Sequence, residues 1–222
     1  MKERETVILL VRHGETAWNR DNRYQGQQDS ELNERGRQQA RRLAAHLASL
    51  PIAAVYSSDL VRAAETARPI AAPHGLEVQT TPELRERHFG QLEGLLASEA
   101  RERFAEWFEV WRASGRVLPP PGGESTPQVA ARAVAWLERT VVAYPGGTVV
   151  AVAHGGPIRL MVCHVTGAPM ERRGGIVLDN AGVTTLAGHP GSLRLLCLND
   201  VGHLHPEAPV PALAARLETE EV

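Results

Sequence analysis

The chain has 222 residues, 43% of them hydrophobic, and a formal net charge of −2. That length allows one large domain or two small ones with a real core, and a charge so balanced argues against bulk electrostatic binding to nucleic acid or a membrane surface. The two cysteines, Cys163 and Cys197, make no disulfide framework in a chain this long and point to a reducing compartment.

The first apolar run covers only residues 7–11. A signal h-region needs about 7–15 apolar residues and a membrane helix about 20, so a soluble cytoplasmic protein is expected. Residues 6–12 (TVILLVR) read as a strand buried on both faces, because they are apolar without alternation. Residues 13–31 are polar and irregular. Residues 32–50 place Leu32, Ala40, Leu43, Ala44 and Leu47 at helical spacing, with Asn33 as N-cap and Pro51 as the stop. A second strand follows at 52–58, and Asp59 is expected to cap a helix running to about residue 72. Residues 82–94 read as a loop. Residues 95–114 carry Phe104, Trp107, Phe108 and Trp111 at helical spacing, and GRVLPPPGGES (115–125) breaks the pattern. Thr126 is expected to cap the next helix, with Pro127 at its first position. A buried strand at 147–156, a helix ending near Gly167 and a late hairpin (181–189, 192–200) complete the reading. This order predicts a three-layer α/β/α sandwich with a mostly parallel central sheet. A small helical cap would be inserted at about 86–126, in one domain spanning 1–222, with a loose tail from about 206.

Two apolar strands end alike, in His13-Gly14 and in His154-Gly155. In open α/β sheets, ligands bind at the C-terminal edge of the strands. A lone histidine there usually just ends a strand. Two of them, each ahead of a glycine that lets a ligand approach the backbone, point to a site. Arg12 precedes the first histidine. Arg62 lies one turn into the helix after the second strand, so its side chain can reach back toward that edge, where Ser57 and Ser58 end the strand. Arginines beside a helix N-terminus favour a small dianion, and phosphate fits best. Phosphoryl transfer also needs a proton source for the leaving oxygen. Glu86 is the candidate, with Glu83, Glu93 and Glu99 as alternatives. The aromatic stripe at 104–111 reads first as packing and second as a wall for an organic leaving group. No G-x-S-x-G elbow, P-loop or strand-linked G-x-G-x-x-G occurs. The His203 and His205 pair lacks a nearby partner for metal binding.

Six stretches in order resemble the histidine phosphatase superfamily, also called phosphoglycerate mutase-like. They are RHGET (12–16) followed by WN (18–19), RYQGQQDSELNERGRQQA (23–40), SSDLVRAAETA (57–67), LRERHFG (84–90), VAHGGPIR (152–159) and LNDVGHL (198–204). The resemblance implies that His13 is the nucleophile and forms a phosphohistidine. Arg12 and Arg62 would hold the phosphoryl oxygens and His154 would be a further phosphate ligand. Glu86 would protonate the leaving alkoxide and then assist water. Thr16 and Asn19 would lie at the pocket's mouth, and Gly14, Gln25, Gly26 and Gly155 would be further substrate-binding residues. Arg116, Glu124 and Ser125 are read as flanking the entrance. The resemblance implies no metal and no cofactor, with 2,3-bisphosphoglycerate required only by a mutase. The phosphatase branch is expected over the mutase branch, because residues 95–121 are short and lack an adjacent arginine pair. A non-catalytic phospho-ligand-binding protein is disfavoured, since Arg12, His13, Arg62, Glu86 and His154 are all present. The implied partner is a small phosphorylated metabolite, with a homodimer at family level.

Overall fold

Every residue of the first strand is expected to be covered, and the computed structural model, which describes residues 4–205, shows how. Strand β1 (Thr6–Arg12) sends Leu9 and Val11 to one face of a sheet and Ile8 and Leu10 to the other, all four fully buried. Successive side chains on a strand point to opposite faces, so a strand with a helical layer on each side must be apolar throughout.

The short helix α1 (Ala17–Arg20) lies within the polar stretch after β1, capped by Thr16. Helix α2 (Glu34–Leu47) begins at Asn33, whose side chain accepts from the Gly36 N–H at 2.8 Å. It turns Leu43, Ala44 and Leu47 onto the sheet. Strand β2 (Ile52–Ser58) leads into helix α3 (Val61–Ala71), which packs Ala63, Ala67 and Ile70 on the same face. Leu60, not Asp59, is the N-cap. Asp59 instead pairs with Arg85 at 2.6 Å, an ion pair 26 positions away that local spacing cannot reveal. Strand β3 (Val78–Thr81) went unread in the sequence; its four residues, none of them buried, carry little of the apolar signal that marks a strand.

The stretch read as one helix at 95–114 is two, α4 (Ala97–Arg103) and α5 (Ala105–Ala113). The chain bends at Phe104, whose φ of −120° and ψ of 35° leave the helical region. Both pieces feed a small separate cluster around Leu92, Ala100 and Phe108, flanked by Tyr24, Phe89, Trp107 and Trp111. Helix α6 (Thr126–Ala143) is capped by Ser125 rather than Thr126, in a reciprocal box with Gln128. The register moves back one residue because the box needs Gln three positions after the cap. Strand β4 (Thr148–Ala153) and helix α7 (Gly155–Thr166) follow, then the hairpin β5 (Val183–His189) and β6 (Ser192–Asp200).

The sheet order is β3-β2-β4-β1-β5-β6. The β3/β2, β2/β4 and β4/β1 pairs are parallel, while β1/β5 and β5/β6 are antiparallel. Helices α2 and α3 cover one face, and α6 and α7 the other with Ala133, Trp136, Leu137, Ile158 and Met161. The architecture is the expected three-layer sandwich. Each fully buried Leu or Ile in these layers contributes about 1.5–3 kcal/mol. Among the described residues no helix is long and apolar enough to cross a membrane. The tail expected to be loose from about 206 lies outside the described residues.

Candidate active site

Strands β1 and β4 are adjacent and parallel, with Val11 opposite Val152 and Arg12 opposite Ala153. That register carries the next residues, His13 and His154, out of the sheet side by side. Their ring centroids are 5.0 Å apart. His13 is 4% exposed and His154 fully buried. The His13 Nδ1–H donates to the Gly14 carbonyl at 2.7 Å, which fixes the tautomer and leaves Nε2 as a lone pair. Burial first, then the Arg62 and Arg12 charges, hold the His13 pKa well below the ordinary histidine value. Burial, Arg62 and the neighbouring His13 do the same to His154. Both rings are therefore neutral near pH 7.

The two arginines are held by backbone carbonyls rather than carboxylates. Arg12 Nη1 donates to Leu178 O at 2.6 Å. Arg62 reaches from α3 to the 25–28 loop, where Nη1 donates to Gln28 O at 2.9 Å and Nη2 to Gly26 O at 2.7 Å. Burial lowers the Arg62 pKa to about 10, so it stays a cation at neutral pH. Arg12 Nε, Arg62 Nε and both His154 ring nitrogens are buried without a hydrogen-bond partner. Buried polar atoms are normally paired, and four orphans around one imidazole mark a place for a polar guest.

Glu86 stands at the edge of this group. Its Oε1 accepts from the Arg87 N–H at 2.7 Å and its Oε2 from the Gly156 N–H at 3.1 Å, at the start of α7. A β-carbon at position 156 would fall 2.1 Å from Glu86 Oε1. The obstructing atom is the end of a flexible side chain, so Gly156→Ala is expected to fold with an unchanged Tm while swinging the carboxylate away. Turnover of alkyl phosphates should then drop by about 10–10²-fold, less than the roughly 10²–10⁴-fold worth of a general acid, because the carboxylate is displaced and not removed. A steady-state assay beside a thermal melt checks both halves.

The remaining anticipated residues divide into several groups. Thr16 is buried and bonds the Gln25 side chain at 3.0 Å and Asn19 at 3.1 Å. Asn19 also meets Asn180, whose Nδ2 donates to Asn19 Oδ1 at 3.2 Å and to His13 O at 3.0 Å. Gly26 contributes its carbonyl to Arg62, and Gly155 opens α7. Gly14 serves packing: a β-carbon there would fall 2.6 Å from Gly36 O, so α2 presses directly on the peptide after His13. Ser57 and Ser58 bond within their own turn.

Beyond Glu86 and Gly156 opens a cavity of about 320 Å³. Trp107, Phe108 and Trp111 line it, so the aromatic stripe both packs and forms a wall. Trp107 and Trp111 stack with centroids 5.6 Å apart, and the buried Trp111 Nε1 has no partner. Arg116 joins the lining, but Glu124 and Ser125 do not. Glu124 is bound to Arg132 at 3.0 Å and Ser125 caps α6, so the structure gives both a part in the scaffold. Sequence reasoning missed Asn180, Arg159 and Arg173. Arg159 had a signal, since it lies little more than one turn into a helix capped by His154. Asn180, 167 positions from His13, had none. Among the described residues no group of three or more His, Cys, Asp or Glu is placed to hold a metal ion.

A neutral imidazole with a free lone pair, ringed by buried cations and unpaired donors, is the arrangement of a phosphoryl-transfer enzyme. Residues 8–201 match the model of the histidine phosphatase superfamily (branch 1), and the chain belongs to that family. It is 40% identical over 206 residues to the metal-independent phosphoserine phosphatase of Arabidopsis thaliana, covering 90% of this chain and 83% of that one. It is 34% identical over 197 residues to phosphoserine phosphatase 1 of Hydrogenobacter thermophilus, covering 89% and 93%. A mycobacterial glucosyl-3-phosphoglycerate phosphatase solved with VO3 superposes with a TM-score of 0.79 at 34% identity, covering 87% and 98%. The protein is a phosphatase of the histidine type.

Proposed function

We propose that the protein hydrolyses the phosphate monoester of a small carboxylate-bearing metabolite through a phosphohistidine at His13. The observation that carries the reading is the set of buried, unpartnered nitrogens on Arg12, Arg62 and His154 around the free Nε2 side of His13. In this scheme the His13 Nε2 lone pair attacks phosphorus and the bond from phosphorus to the ester oxygen breaks. Glu86 gives that oxygen its proton, and the alcohol leaves. Water then attacks the phosphohistidine, Glu86 takes its proton, and inorganic phosphate and free His13 result. Arg12, Arg62 and His154 hold the phosphoryl oxygens throughout, supplying fixed positive charge and donors where negative charge builds up.

The carboxylate in the leaving group follows from the cavity. Arg87, Arg116, Arg159 and Arg173 line it, and among the described residues none of the four has a carboxylate within ion-pair distance. Among the described residues the lining carboxylates are only Glu86 and Glu171. A cationic wall beyond the phosphate pocket favours a leaving group with its own anion. Phosphoserine and glucosyl-3-phosphoglycerate, in the names of the relatives, both carry one.

The test is a ³¹P NMR time course in excess EDTA with O-phosphoserine, O-phosphoethanolamine and 3-phosphoglycerate in separate tubes. Phosphoserine and phosphoethanolamine differ only in the carboxylate. Inorganic phosphate is expected to grow undiminished by EDTA, about tenfold or more faster from phosphoserine, the worth of one charge-assisted hydrogen bond. Equal rates for that pair would remove the carboxylate from the proposal. Conversion of 3-phosphoglycerate to its 2-isomer without free phosphate would overturn hydrolysis itself.

A further inference from the structure

Glu86 sits in a segment without regular secondary structure, yet an acid must be placed within hydrogen-bond reach of the leaving oxygen. Its backbone is held by one side chain from the neighbouring helix α6. Arg132, on α6, spends all five guanidinium donors on this segment and on the carboxylate facing it. Nη1 donates to Glu83 O at 2.8 Å and to Arg85 O at 2.5 Å. Nη2 donates to Glu86 O at 2.9 Å and to Glu124 Oε2 at 3.0 Å, and Nε donates to Glu124 Oε1 at 3.0 Å. Glu124 completes the clasp, its Oε2 also accepting from the His88 N–H at 2.9 Å and from Gln27 Nε2 at 3.3 Å. Gln27 Nε2 in turn donates to Glu86 O at 3.1 Å. Three carbonyls, at 83, 85 and 86, are thus drawn to one planar fork, and the chain on the far side of Glu86 is fixed by the same carboxylate.

We infer that Arg132, locked by Glu124, is a positioning residue that sets where the Glu86 carboxylate stands relative to the phosphorus bound at His13. The planar fork is what fits. A lysine has three donors radiating from a point and cannot serve five acceptors in one plane. Neither Arg132 nor Glu124 lines the cavity, so their effect passes through the Glu86 segment. The inference rests on the proposed role of Glu86 as proton donor, and its test separates the two.

That test uses two phosphate esters of similar size, p-nitrophenyl phosphate and benzyl phosphate. The first releases a stabilised phenolate that needs no acid; the second releases an alkoxide that does. The readout is kcat/KM, which reports steps only up to the first irreversible one, so later hydrolysis of the phosphohistidine does not enter it. Glu86→Gln is expected to lower kcat/KM for benzyl phosphate by about 10²–10⁴-fold and to change p-nitrophenyl phosphate far less. Arg132→Lys and Glu124→Gln are expected to show the same asymmetry on a smaller scale, about 10–10²-fold on the benzyl ester. Arg132→Lys keeps the charge and Glu124→Gln keeps the shape, so a failure of one to fold leaves the other as the test. A loss shared equally by both esters would make the clasp merely structural and overturn the inference. If Glu86→Gln itself shows no asymmetry, the acid assignment falls, and the positioning role falls with it. If Glu86→Gln shows it and both clasp variants do not, only the positioning role is lost.

Discussion

Alanine in place of His13 is expected to abolish phosphate release, by about 10⁴- to 10⁶-fold, since loss of a covalent nucleophile removes the pathway and not one contact within it. The fold should survive. His13 ends a strand whose pairing is made by backbone groups, and its own N–H still bonds Ala153 O at 3.0 Å after the side chain is cut away. Among the described residues the ring's only hydrogen bond is to the adjacent Gly14 carbonyl. Circular dichroism and a thermal melt check the fold, and a steady-state assay checks the rate. A second readout tests the chemistry directly. Wild-type protein quenched in alkali during turnover should carry phosphate on His13, because phosphohistidine survives base and is lost in acid. Label on any other residue, or retained turnover in the variant, would remove His13 from the role of nucleophile.

Arg62 offers the next largest effect and separates two contributions of one side chain. In Arg62→Met the phosphoryl oxygens lose a donor, and turnover should fall by about 10²–10³-fold. The carbonyls of Gly26 and Gln28 lose their partner as well, at about 1–3 kcal/mol for each left buried and unpaired, which a denaturation curve reads. The variant should also change the pH profile. After burial, the Arg62 charge is the largest influence keeping His13 unprotonated. Without it the His13 pKa rises toward its ordinary value, so the acid limb of kcat/KM moves to higher pH. Arg62→Lys retains the charge and should leave that limb in place while still losing turnover, since an ammonium cannot match a fork that reaches two carbonyls and an anion together. An acid limb unmoved in Arg62→Met would show that the Arg62 charge does not hold His13 neutral.

How far the sequence alone could go follows from which distances were short along the chain. The paired histidines were legible because each follows its strand directly, and neighbouring parallel strands deliver their ends to one edge. Arg62 was legible because it lies in the first turn of α3. The buried strands were legible as unbroken apolar runs. What stayed hidden depends on partners far away. Asp59 looked like a helix cap because nothing nearby announces Arg85. Glu124 looked like an entrance residue because its attachment to Arg132 exists only once α6 packs against the 83–88 segment. Asn180 joins His13 and Asn19 from the turn before β5, where one asparagine in a loop carries no pattern at all. The bend at Phe104 left no proline or glycine to mark it.

The contact between Gly14 and Gly36 ties the segment after His13 to a distant helix. A side chain at 14 would strike Gly36 O at 2.6 Å, and one at 36 would strike Glu15 O at 2.1 Å. Both obstacles are backbone, with no flexible end to bend aside. Glycine is therefore the largest residue that either position tolerates, and the two positions are coupled without either side chain existing. A saturation library of this protein should find position 36 as closed to substitution as position 14, even though it belongs to a helix that never meets phosphorus.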